Sequence, residues 1–290
     1  MTPAGPLGVA ALAEARTHCA AFVRENARDQ WLGALYAPPE RRDALLALAA
    51  FDSEIRLPQL RTRDPNLAAL RLAWWRGVVQ GERDSEAAGN PTALALMSAV
   101  EAFSLPRAGL EAMLDARLEE LVPSEGFDLA AFTAFAAGSD GARLRLAARI
   151  CGGGRDPDAA DAAAPAGLAL ALTRMLLALP AKAGSAPTLF PVDVALRHGA
   201  TTRDLEARLE NEPVVTACAE ARALARDAAE EAERRLEASP PAILPAFVPL
   251  GAVGLDLEQL ERGGARPFDP TAEASPLRRQ WAIWRWARRQ

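Results

Sequence analysis

Apolar residues in this sequence return every three or four positions in one segment after another, and prolines cut the pattern between segments. That spacing puts the apolar set on one face of an α-helix, whereas a half-buried strand needs alternation at every second residue. Between Glu40 and Leu57 the set is Leu45, Leu48, Ala49 and Phe51. Between Asn66 and Gly81 it is Leu67, Leu70, Trp74 and Val78, and between Arg107 and Val122 it is Leu110, Met113, Leu114, Leu118 and Leu121. Alanine and leucine dominate and β-branched runs are nearly absent, which favours helix over sheet. An all-α fold is expected, and 290 residues of half-hydrophobic composition suffice to bury a large core.

The punctuation sets the expected boundaries. Leu7 to Leu35 reads as one helical region, closed by Ala37-Pro38-Pro39. Pro58 ends the next. Pro91, after Asn90, suits the first turn of a helix that Ser104-Leu105-Pro106 breaks. Asp128 to Cys151 is helical and closes at Gly152-Gly153-Gly154, a flexible connection, since no strand precedes it as a phosphate-binding loop requires. Ala159 to Leu179 is apolar enough to be a helix buried on most sides. Pro180 to Pro191 is a loop. Thr202 to Leu209 and Val214 to Ala238 are amphipathic, the second with Arg222, Arg226, Glu230 and Arg234 opposite Ala221, Leu224, Ala228 and Ala232. Pro240 to Pro249 reads as a hinge before a last short helical region. No repeat or low-complexity linker divides the chain, so residues 1–290 are taken as one domain.

The net charge of -5 is spread along the chain and gives no reason to expect nucleic acid as a partner. Cys19, Cys151 and Cys218 are far apart with no zinc spacing, as reduced thiols of a cytoplasmic protein would be. The segment Met1 to Ala15 lacks a basic start and carries Glu14, unlike a signal peptide. No uncharged stretch is read as approaching the roughly 18 residues that span a bilayer, so a soluble or peripheral protein is expected. His18 and His198 are not spaced for a metal or a catalytic triad. One of the adjacent Trp74 and Trp75 should be core, and Asp193 should cap a helix.

In order along the chain, RRDALLALAAF from Arg41, LRLAWWRGVV from Leu70, LAAFTAFAAGSDG from Leu129, GLALALTRML from Gly167, TLFPVDVALRHGAT from Thr188, the helix at Ala217 to Ala238 and PLRRQWAIW from Pro276 resemble the squalene/phytoene synthase family. The resemblance covers nearly the whole chain. It implies a single helical bundle of the isoprenoid synthase type around a central cavity, where members join two prenyl diphosphates head to head. It also implies two aspartate-rich helices holding Mg²⁺, which neutralises the diphosphate leaving group. In this sequence the first aspartate cluster is replaced by Arg56, Leu57 and Leu60, with Pro58 between them. In the second motif the asparagine position is Arg174, the arginine position is Leu177, and the two aspartate positions are Ala178 and Lys182. Asp52 and Glu54 lie close by, but Asp52 is expected to pair with Arg56 one turn on and Glu54 to be solvated. The expectation is a pseudoenzyme with no catalytic residue, no metal and no cofactor.

Within the family, AAFDSEI, LAWWRGVV and LFPVDVALRHG are similar to the branch that includes a mitochondrial complex I assembly factor. That implies a scaffold whose partners are complex I subunits or assembly intermediates. Two alternatives remain: a prenyl transferase using Mg²⁺ at an altered site, and an isoprenoid- or lipid-binding protein in which Arg174 or Lys182 holds an anionic head group. The closing segment combines Trp281, Trp284 and Trp286 with Arg278, Arg279, Arg285, Arg288 and Arg289. It suits either a partner or a membrane interface, on the inner face of the cytoplasmic membrane, or docking on the bundle with arginines outward. Docking is favoured because the resemblance runs through PLRRQWAIW.

Overall fold

The computed structural model describes residues 6–61, 65–121, 127–155, 160–180, 189–262, 266–269 and 274–289, and no strand occurs among them. The first helical region is two helices, Pro6–Asn26 (α1) and Arg28–Tyr36 (α2), because Ala27 between them leaves the helical range at φ -148°, ψ 58°. Pro39–Arg61 (α3) passes through Pro58 instead of ending there. A proline removes one backbone bond and crowds the preceding turn, and at this point only one turn of helix remains. Pro65–Gln80 (α4) and Asp84–Gly89 (α5) follow. Pro91–Ala102 (α6) starts as expected, with Pro91 in its first turn and the Asn90 side chain accepting from the Ala93 N–H at 2.9 Å.

Arg107–Leu121 (α7) precedes a long element built of Leu129–Ala136 (α8), a π-helical segment at Ala137–Gly141, and Ala142–Cys151 (α9). Ala160–Ala178 (α10) is the central helix. Val192–Arg197 (α11), Thr202–Glu206 (α12) and Glu212–Glu237 (α13) follow. Leu244–Phe247 (α14), Val253–Arg262 (α15) and Pro276–Ala287 (α16) complete the chain. The central helix lies along α13, packs on the π segment, and also meets α8, α9 and α15. Its close approach to α13 follows from small residues on both sides. Ala217, Ala221, Ala225 and Ala232 of α13 and Ala162, Ala163, Ala166 and Ala169 of α10 are fully buried. Larger buried side chains such as Phe51, Trp75, Phe132 and Phe247 each add about 2 kcal/mol of burial.

Four expectations change. On α4 the buried side chains are Ala68, Leu72, Trp75, Val78 and Val79, so Val78 of the expected set is core and Trp74 is partly buried, while Leu67 and Leu70 are 57% and 66% exposed. Both sets obey the helical period, and spacing alone does not say which of two apolar faces meets the core. The glycine triplet is a defined turn, with Gly153 and Gly154 at φ 70° and 87°, values open to glycine. The proline-rich stretch is no hinge. Pro241–Ile243 and Val248–Ala252 are 3₁₀ turns flanking α14, and Ile243, Phe247, Val248 and Leu250 are buried. Prolines here stand in first-turn positions, where the missing N–H is not needed. Two stretches, Asp161–Ala178 and Pro241–Arg262, are long and apolar enough to cross a membrane, contrary to expectation. More than half of each is buried inside the bundle, which accounts for helices apolar nearly all round.

Candidate functional site

A knot of charge sits in the bundle interior. Asp52 and Arg56 are one turn apart on α3 and so share a face. Arg56 Nε donates to Asp52 Oδ1 and its Nη2 donates to Asp140 Oδ1, each at 2.9 Å. Arg143 on α9 lies 3.5 Å from Asp52 and 3.8 Å from Asp140, and Arg174 Nη2 on α10 lies 2.7 Å from Asp140 Oδ2. Asp52, Asp140 and Arg143 are buried. The π segment makes this possible: its wider turn carries Ser139 and Asp140 inward, where a plain α-helix would continue its own register. A Cβ on Gly167 would stand 2.5 Å from the Gly141 nitrogen, so α10 touches the π segment backbone to backbone. Two turns further along α10, Arg174 reaches Asp140.

Three arginines against two carboxylates leave this group with one positive charge in excess. Burial alone would raise the Asp140 carboxyl, but Arg174, Arg56 and Arg143 hold it well below the usual carboxylate range. Burial opposes charge on Arg56 as well, and Asp52 and Asp140 outweigh it and push the guanidinium up. Arg117 on α7 is pulled down to about 10, mainly by burial and then by Arg56, and stays charged at neutral pH. It pairs with Glu120 at 2.5 Å and lies 5.4 Å from the Phe135 ring centre.

A cavity of about 180 Å³ opens beside the knot. Arg56, Arg117, Arg174 and Glu120 form its polar wall, and Phe132, Phe135, Met175, Ala178 and Leu189 its apolar one. The positions that the resemblance assigned to the two metal motifs therefore do meet: Arg56 from the first and Arg174 from the second hold the same aspartate. Ala178 lines the cavity and Leu177 is partly exposed. The side chains of Leu57 and Leu60, and all of Lys182, lie outside the described residues. Asp52 pairs with Arg56 as expected, but Glu54 is buried, not solvated, and accepts from Arg71 Nη2 at 2.7 Å. The α3 helix is enclosed on both flanks, and α4 supplies the compensating charge.

Mg²⁺ needs near-octahedral oxygen ligation. The oxygens of Asp52 and Asp140 are engaged by arginines, and the described residues contain no group of three or more His, Cys, Asp or Glu placed to hold a metal ion. The residues present do not fit the ion. The sequence reading missed Asp140, Arg143 and Arg117. Its available signal was Asp140 and Arg143, three apart and so on one helical face, with Asp140 the one acid in the run from Phe132 to Ile150.

The C-terminal helix divides differently from expectation. Ile283 and Trp286 are buried, and Trp286 Nε1 donates to Glu233 at 2.7 Å. Arg279 is an anchor: its Nε and Nη2 donate to Asp29 at 2.8 and 2.6 Å and its Nη1 to Asp256 at 2.6 Å. Trp281 and Trp284 do not dock. They are 60% and 37% exposed and stack on each other with ring centres 4.7 Å apart. Residues 279, 283 and 286 share the inner helical face, which leaves 277, 281 and 284 outside. Elsewhere, Trp75 is core, and Asp193 accepts the Leu129 N–H at 2.8 Å, capping α8 across the chain instead of its own helix.

The solved structure of a dehydrosqualene synthase in complex with ligand superimposes with a TM-score of 0.79 over 94% of this chain and 95% of the other, at 15% identity, a likeness of fold. Among characterised proteins, complex I assembly factor 6 of Homo sapiens is 23% identical over 197 residues, 68% of this chain. The chain spans 59% of that relative's length. The assembly factor 6 homolog of Drosophila melanogaster is 24% identical over 253 residues, 84% of this chain and 75% of the other. The family profile described as squalene/phytoene synthase matches residues 23–285, and the chain belongs to the squalene/phytoene synthase family.

Proposed function

We propose that this protein is catalytically inactive and serves as an assembly factor for a respiratory membrane complex of the complex I type. The observation that carries the reading is Asp140 held by Arg56 and Arg174 at the two motif positions. Prenyl transfer needs carboxylate oxygens free to gather divalent metal around a diphosphate. Here arginines consume those oxygens and occupy the space. What the same residues do instead is mechanical: the knot ties α3, the π segment, α9 and α10 into one body. Such a body presents fixed outer surfaces to subunits or intermediates, and the relatives named as complex I assembly factors support that direction. The protein works in the cytoplasm, at the inner face of the cytoplasmic membrane.

One observation favours a second reading, a carrier of an isoprenoid or lipid. The cavity faces an anionic head group with Arg56 and Arg174 and an apolar chain with Phe132 and Phe135. Its volume of about 180 Å³ is below the roughly 300–1,000 Å³ of most ligand sites, which places this reading second. The test is deletion of the gene in its own host with measurement of assembled complex I, together with capture on the tagged protein. Loss of the complex and recovery of its subunits support the assembly reading. Normal complex I levels in the deletion strain overturn it.

A further inference from the structure

The outer face of α16 and the end of α2 enclose an apolar groove of about 540 Å³, lined by Leu32, Leu35, Tyr36, Leu277, Trp281 and Trp284. Leu277 is 80% exposed and stands beside the stacked pair Trp281 and Trp284. Stacking fixes both indoles outward at little further cost in side-chain freedom. Charge on the same helix is of one sign. Between Pro276 and Arg289 the sequence contains five arginines and no acid. Arg279 is neutralised by Asp29 and Asp256, whereas Arg278, Arg285, Arg288 and Arg289 are exposed and make no ion pair among the described residues. The Arg288 guanidinium lies 4.9 Å from the Trp284 ring centre. Besides Asp29 and Asp256, the acids beside this helix are Glu233, which accepts from Trp286, and Glu258, which pairs with Arg262.

We propose that this face is a docking surface for an anionic lipid membrane. The chain as a whole is acidic, at -5, so a patch carrying four unpaired cations is set against the general charge. Indole prefers the headgroup region, leucine the acyl boundary beneath it, and guanidinium the lipid phosphates. The helix lies flat with its inner face already committed to the bundle, and the anchoring Arg279 holds it there. The geometry is that of an interfacial helix, independent of whether the protein assembles complex I.

The test is flotation of the whole protein with vesicles of phosphatidylcholine alone and of phosphatidylcholine mixed with phosphatidylglycerol. Binding to the anionic vesicles should be at least about tenfold tighter, since each basic residue at such a surface adds close to a factor of five. Trp281→Ser with Trp284→Ser should weaken it about tenfold or more, and Arg278→Gln with Arg285→Gln comparably. Leu67→Ser with Leu70→Ser, on another exposed apolar patch, should leave it unchanged, and all variants should keep the wild-type circular dichroism and melting temperature. Absence of binding, equal binding to both vesicle types, or full binding by the tryptophan variant overturns the proposal. Concentration-dependent self-association without vesicle binding, abolished by the tryptophan variant, assigns the groove to a second copy and also overturns it.

Discussion

Replacing Asp140 by asparagine removes one charge from the centre of the knot while keeping the shape of the side chain. The carboxylate is buried, 2.9 Å from Arg56 Nη2 and 2.7 Å from Arg174 Nη2, with Arg143 3.8 Å away. An amide has one acceptor oxygen and brings two donors into a place already filled by donors. The group of Asp52, Arg56, Asp140, Arg143 and Arg174 goes from one positive charge in excess to two. Breaking a buried ion pair by removing one partner costs about 3–5 kcal/mol, and for a chain of this size that lowers the melting temperature by roughly 6–15 °C. Arg174→Gln should cost only about 1 kcal/mol, because that side chain is 37% exposed and water replaces the lost partner. The double variant should cost less than the sum, since removing Arg174 relieves the excess charge that Asp140→Asn creates. Urea unfolding at neutral pH, followed by circular dichroism, gives all three values. Acid titration gives a second reading: the Asp140 carboxyl is depressed in the folded state, so its stabilisation is full above the unfolded value near 4 and is lost as pH falls below it. The wild type should therefore lose stability more steeply with acid than Asp140→Asn. A loss under about 1 kcal/mol for Asp140→Asn, or strict additivity, refutes the account of the knot.

Gly167→Ala should destabilise by about 3 kcal/mol, because the new methyl meets backbone of the π segment, whereas Gly254→Ala, with open space around it, should be neutral or slightly stabilising; thermal melts of the two compare them directly. Burial pushes the Cys19 and Cys151 thiols up to about 12 and the Cys218 thiol to about 11. In the unfolded chain thiols ionise near 8.5, so between that pH and about 11 the unfolded state releases protons the folded state keeps, and stability should fall as pH rises. Urea midpoints should decline across that window, and a thiol reagent at neutral pH should label native protein far more slowly than denatured protein.

The helices were legible because burial in a bundle requires the three-and-four spacing that Leu45, Leu48 and Phe51 display. Which face turns inward was less so: α4 has apolar residues on two faces, and only its neighbours decide that Trp75 is buried and Leu70 exposed. The arginines at the two motif positions were visible through the resemblance. Their common partner was not, because Asp140 is 84 residues from Arg56 along the chain and is aimed inward by a π segment that no spacing rule announces. Prolines misled at Pro58, after which the helix runs on to Arg61, and from Pro240 to Pro249, where first-turn placement and the burial of Ile243, Phe247 and Val248 override the local tendency to break. In the closing segment, composition identified a group of tryptophans and arginines, and helical phase separated the anchors Arg279 and Trp286 from the outward pair Trp281 and Trp284.

Incubation of the purified protein with farnesyl and geranylgeranyl diphosphates and Mg²⁺, with diphosphate release followed over time, bears most directly on the claim that arginines have replaced the chemistry of this fold. No release above a protein-free control is predicted, with or without the metal. Sustained Mg²⁺-dependent release would contradict the claim and return Asp52 and Asp140 to the role of metal ligands.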